Sequence, residues 1–159
     1  MEFALFLMLL SIVIIITIKY YHPIEINNAR KSIEPHINLN ETVIEYAIGR
    51  TKEALTLELL AGILGLPAGH LFLIVLTDKR VILAEIQKKK LVGPHDLGSV
   101  ESIQLSEVQG MEYKRGPAAG ILIIHHSAGP LEFRFGTRPW FPKAIEMAKK
   151  HPIQNYGGN

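Results

Sequence analysis

Residues 3–18 are apolar without a charged interruption, whereas from residue 41 onward the chain breaks into short segments that alternate or run apolar for five to ten positions. The first pattern predicts one helix and the second a β-rich domain. Residues 41–50 alternate, placing Ile44, Tyr46 and Ile48 on one face of a strand and Glu45 on the other. Residues 71–76 and 81–86 are aliphatic and β-branched, and they flank the short polar stretch Thr77, Asp78, Lys79 and Arg80, which reads as a β-hairpin. Their continuous apolar character implies cover on both faces. Further strands are expected at 100–105, 108–114, 121–126 and 131–135, separated by Gly-containing turns. In the last, Leu131, Phe133 and Phe135 point inward and Glu132 and Arg134 outward.

A helix is expected over 139–150, capped by Thr137, with Pro139 and Pro142 in its first turn. Trp140, Phe141, Ala144, Ile145 and Ala148 form its apolar stripe, and Trp140 is read as its anchor against the sheet. Residues 22–40 carry two prolines, four asparagines and scattered charge without periodicity, so they read as a tether, and 152–159 as a flexible tail. The expected layout is a transmembrane helix at 1–21, a tether at 22–40, a mainly β domain at 41–151 and the tail.

Residues 3–18 give roughly 24 Å of helix, and including Met1, Tyr20 and Tyr21 brings this to the roughly 30 Å of a hydrocarbon core. Tyr20 and Tyr21 sit where an aromatic belt belongs, with Lys19 able to reach the headgroups. A cleaved signal peptide would need a basic start and small residues at a cleavage point, but Glu2 is acidic and the stretch from Lys19 to His22 is bulky. Lys19, Arg30 and Lys31 follow the span, which favours a cytoplasmic position for the domain. The expected location is the cell membrane, crossed once.

Net charge adds an exclusion. At +2 the chain gives a nucleic-acid partner no strong electrostatic support. The absence of cysteine agrees with a cytoplasmic domain but suits either compartment.

The hairpin Leu71, Phe72, Leu73, Ile74, Val75, Leu76, Thr77, Asp78, Lys79, Arg80, Val81, Ile82, Leu83 resembles the central hairpin of bacterial pleckstrin-homology-like domains, with its Thr-Asp-basic-Arg turn between aliphatic strands. Ser102, Ile103, Gln104, Leu105, Ser106, Glu107 and Val108 are similar to the strand that follows it there. The resemblance spans residues 41–151 and implies a small barrel or sandwich of about seven antiparallel strands closed by a C-terminal helix. It implies a binding or scaffolding role, with a protein partner foremost, anionic lipid second and a homo-oligomeric membrane assembly third. One departure stands out. Where lipid-binding relatives of that superfold carry a short basic loop, this chain has an apolar insert at 54–69, and only Arg50 and Lys52 lie near it.

The insert, with Leu59, Leu60, Ile63 and Leu64, is read as a helical cover for one end of the sheet, as a surface that dips into lipid or receives a partner, or, continued to residue 76, as a second span. The basic residues Lys79, Arg80, Lys88, Lys89, Lys90, Lys114 and Arg115 are candidate contacts for anionic lipid or a partner. His125 and His126, with His95 and Asp96, do not make a metal site, because neighbouring strand residues point to opposite faces. No nucleophile motif or phosphate loop is present, so neither catalysis nor a cofactor is expected.

Overall fold

The computed structural model describes residues 2–51, 70–116, 120–135 and 140–153, and within the first helix the side chains of 6–12 and 24–33. Helix α1 spans Glu2–Ile33 and is followed by a 3-10 turn at Glu34–His36. Seven strands come next: β1 Val43–Thr51, β2 Leu71–Thr77, β3 Arg80–Lys88, β4 Asp96–Gln104, β5 Val108–Arg115, β6 Gly120–His126 and β7 Leu131–Phe135. Helix α2, Phe141–Lys150, is the last helix among the described residues. All seven expected strands are present, although β4 starts at Asp96 and takes in Gly98, four residues ahead of the expected start at 100.

The strands form one antiparallel sheet in the order β4-β3-β2-β1-β7-β6-β5, so two meanders join through the pairing of β1 with β7. β4 and β5 are its edges. Strand parity sorts the β2–β3 hairpin into two faces. On one, Phe72 meets the ring of Phe133 at 5.9 Å. The other carries Leu73, Val75, Ile82 and Ala84, yet all four are at most 1% exposed. A sheet buried on both sides needs a cover on each. Ala29 and Ile33 of α1 join the same core, with Ile26 and Ile37 packed beside them, and a helix laid on the outer face accounts for the double burial.

That docking corrects the reading of 22–40 as a tether, since the helix continues to Ile33. Among its described side chains, Glu25, Asn28, Ala29, Ser32 and Ile33 are buried. Their spacing makes one helical stripe. Three of the five are polar, so apolar periodicity does not reveal it, and Pro23 reads as a break although the helix passes through it. A mid-helix proline costs about 3 kcal/mol, which docking of this kind offsets. Among the described residues no helix is long and apolar enough to cross a membrane. Of the apolar run 3–18, only the side chains of 6–12 fall within that description.

Three smaller expectations are also corrected. Ile44 is 38% exposed because the β1–β2 register shifts between Val43 and Glu45, and this bulge takes it off the inward face. Helix α2 begins at Phe141 with Trp140 as its N-cap residue and no side-chain cap, while Thr137 lies outside the described residues. Residues 151–153 are tied down rather than loose: Met111 N–H donates to His151 O at 2.8 Å and Met111 bridges Pro152 in parallel. Gly110, at φ 141°, permits this approach, because a Cβ there would stand 2.3 Å from Ile153 Cα.

Candidate functional site

Sheet register separates the predicted basic residues into three places. Lys79 and Arg80 turn the chain between β2 and β3 at one end. Lys88, Lys89 and Lys90 leave β3 at the other end, where Arg50 pairs with Leu71, Leu71 with Ile86 and Lys88 with Asp96. Lys114 and Arg115 close β5. Leu59, Leu60, Ile63 and Leu64 lie outside the described residues.

At the turn end, Arg80 is drawn inward. Its Nε donates to Glu41 Oε1 at 2.8 Å and its Nη2 to Glu41 Oε2 at 2.9 Å, while Nη2 also reaches His36 O at 2.9 Å. Thr77 Oγ1 lies 2.7 Å from Glu41 Oε1 and accepts from Arg80 N–H at 2.9 Å. The Arg80 hydrogen bonds outweigh burial and hold the Glu41 carboxyl down from its ordinary 4.5 to about 2, with help from Thr77 and the Asn38 N–H. Thr42 N–H donates to Asp78 Oδ1 at 2.8 Å and completes the latch. This turn therefore fastens the chain entering β1 to the hairpin. Of its two basic residues, only the exposed Lys79 faces outward.

At the loop end, α1 is held by polar groups. Lys89 pairs with the buried Glu25, and Lys90 with Asp96. Asn28 Nδ2 donates to the carbonyls of Lys90 and Leu91, each at 3.2 Å. His95 N–H donates to Ser32 Oγ at 2.6 Å, and Ser32 Oγ donates in turn to Asn28 O. The His95 ring is 4% exposed, accepts from Lys90 N–H at Nδ1, and therefore carries its proton on a buried, unpartnered Nε2. Burial, and then the charge of Lys89, push its pKa down. Among the described residues no three His, Cys, Asp or Glu gather as metal ligands.

The third place is a groove of about 470 Å³ between β5 and α2, lined by Met111, Glu112, Tyr113, Arg115, Phe141, Ile145, Ala148 and Lys149. The apolar stripe of α2 divides here. Ala144 and Met147 are fully buried and Trp140 packs against Tyr46 at 6.0 Å, whereas Phe141, Ile145 and Ala148 stay half-buried along the groove. The Tyr113 ring meets Phe141 edge-on at 5.2 Å, and its hydroxyl occupies the space where a Cβ on Gly120 would sit. Met111 directs its N–H away from β6, toward His151 O, and alternate residues of an edge strand direct their backbone groups the same way. Tyr113 and Arg115 therefore turn N–H and C=O toward that edge, which no strand among the described residues pairs.

Arg115 and Lys149 add basic groups to the groove's lining, Lys149 being paired with Glu146 at 3.0 Å. Glu112 inside it is engaged by Lys114 at 2.9 Å and His125 at 3.3 Å, and its carboxyl is lowered, mainly by the Lys114 hydrogen bond. The alternation that predicted β5 does not show that it is an edge. That follows only from pairing across the whole sheet. No family model, curated protein or solved structure matches this chain.

Proposed function

We propose that this chain is a membrane-held binding module, facing the cytoplasm, whose β5–α2 groove receives an extended segment of a partner protein. The open edge beside a half-buried apolar stripe carries the reading: unpaired strand groups give affinity to an added strand, and neighbouring side chains give it register. Arg115 in the lining favours a segment with an acidic residue.

The anchor part of the proposal draws on α1. Phe6, Leu7, Met8, Leu9, Leu10 and Ile12 point to every side of the helix and are 41–63% exposed. An all-round apolar surface suits lipid rather than water. Ser11 turns its hydroxyl to Leu7 O at 2.7 Å, which satisfies it within the helix. Lys19, Arg30 and Lys31 orient the domain to the cytoplasmic side. A two-meander sheet with a C-terminal helix supports the pleckstrin-homology-like reading of the fold.

The test is selection of peptides from a random extended library on the full chain held in a lipid nanodisc. Selected peptides should slow amide exchange at Tyr113 and Arg115, and Ile145→Asp should weaken them by roughly tenfold or more without unfolding the domain. Peptides that bind equally well to Ile145→Asp would sink the groove reading.

A further inference from the structure

The loop between β3 and β4 exposes two adjacent aliphatic side chains, Leu91 at 68% and Val92 at 85%, directly after three lysines. It does not stand free of α1. Asn28 holds the carbonyls of Lys90 and Leu91, and Glu25 holds Lys89. The position of the loop along the helix axis is therefore fixed. Glu25 lies four residues past Tyr21 and Asn28 seven, which at 1.5 Å per residue places them about 6 and 10 Å beyond the expected end of the span at Tyr21.

A headgroup layer is roughly 5–8 Å deep on each side of the hydrocarbon core. Helices that span bilayers tilt by about 20° on average, which lowers one flank toward the lipid. A loop residue adds roughly 3.3 Å of reach before its side chain is counted. The same end of the sheet carries Thr51 and His70, between which lies the apolar insert. Lys89 and Lys90 are paired with Glu25 and Asp96, while Lys88 is solvent-exposed beside them.

From this placement we infer that the β3–β4 loop is a second membrane contact, in which Leu91 and Val92 enter the lipid headgroup layer and Lys88 lies against anionic headgroups. The inference rests on the anchor reading above. It adds a second attachment point, which fixes the rotation of the domain about α1. Membrane surfaces take up aliphatic tips flanked by lysines through buried apolar area and electrostatic attraction together. With the loop down, the domain cannot swing freely, and the β5–α2 groove keeps one presentation toward the cytoplasm.

Because the chain has no cysteine, single labels can be placed without other changes. Full-length Val92→Cys carrying an environment-sensitive fluorophore is reconstituted in phosphatidylcholine–phosphatidylglycerol vesicles containing lipid with a nitroxide at headgroup level. Roughly half of its emission should be lost, and Leu91→Asp in the same chain should restore most of it. A label at Leu39→Cys, fully exposed beside the turn end, should keep its emission. A label at Ile12→Cys, read with acyl-chain nitroxides, reports the anchor separately. Quenching at Ile12 but not at Val92 overturns this inference and leaves the anchor standing. Equal quenching at Val92 and Leu39 also overturns it, and no quenching at Ile12 removes the anchor and the inference together.

Discussion

At the turn end of the sheet, Arg80 and Glu41 meet under cover, their side chains 18% and 0% exposed, whereas at the loop end Lys89 and Lys90 pair with Glu25 and Asp96 while remaining 36% and 38% exposed. Both ends carry basic residues after a β-strand, and in sequence they look alike. The difference lies in what each cation does for its partner. Arg80 closes a two-pronged contact on a carboxylate that water does not reach, so it is part of the fold. The lysines keep contact with solvent and carry Leu91 and Val92 on the same loop, so that end can still bind something else.

The comparison breaks most sharply at Arg80. Arg80→Met keeps the apolar stem and removes the charge, leaving Glu41 buried without its cation. Losing one partner of a buried pair costs about 3–5 kcal/mol, and urea unfolding of the full chain in micelles should show a loss of that order. The acid limb gives an independent signature. Unfolded Glu41 takes up a proton near its ordinary 4.5 while folded Glu41 resists until about 2, so its contribution is complete above 4.5 and disappears as pH falls between those values. The parent should lose stability across that window, and Arg80→Met should lose much less. An unfolding midpoint unchanged by Arg80→Met would show that the latch does not hold the fold.

Much of this was legible in the sequence, and the exceptions share a cause. Strand positions could be read because Val, Ile, Leu and Phe alternate or cluster at short spacing between turn residues. The docked part of α1 could not, because its buried stripe presents Glu25, Asn28 and Ser32, which look like surface residues until Lys89, Leu91 O and His95 N–H are seen to meet them. The role of Arg80 depended on Glu41, 39 positions earlier, and nothing local marks that pairing. The groove required knowing that β5 is an edge, which is a property of the whole sheet. In each case the missing information was a long-range polar contact or a strand order.

The loop end offers a smaller but sharper perturbation. Folded His95 holds its neutral form because it is buried, with Lys89 and Lys90 opposing its charge and Glu25 and Asp96 favouring it. The unfolded or undocked chain binds a proton near pH 6.5, so stability from the neutral ring is complete above that value and is lost as pH falls below it. The loss is at most about 1.4 kcal/mol per pH unit. Protection factors of the amides of 24–33, each taken against the intrinsic exchange rate at that pH, should therefore fall between about pH 7 and about pH 5.5. His95→Asn retains an acceptor for the Lys90 N–H without the titration, and should flatten the response. A parent whose protection factors over 24–33 are unchanged across this range would remove His95 from the docking of α1.

The smallest expected effect separates neighbours. Lys79 and Arg80 adjoin in one turn, yet the Lys79 side chain is exposed while its backbone N–H donates to Thr77 Oγ1 at 3.2 Å. That hydrogen bond survives any substitution that keeps the backbone, so Lys79→Ala should change stability by less than about 0.5 kcal/mol. The turn also lies at the opposite end from Lys88 and Asp96, so Lys79→Ala should leave quenching of the Val92 label unchanged, whereas Lys88→Ala should reduce it. Equal losses from the two lysines would mean that the domain meets lipid through general positive charge rather than through one end. The assignment of a structural end and a binding end would then fail, even with Arg80 and Glu41 paired as they are.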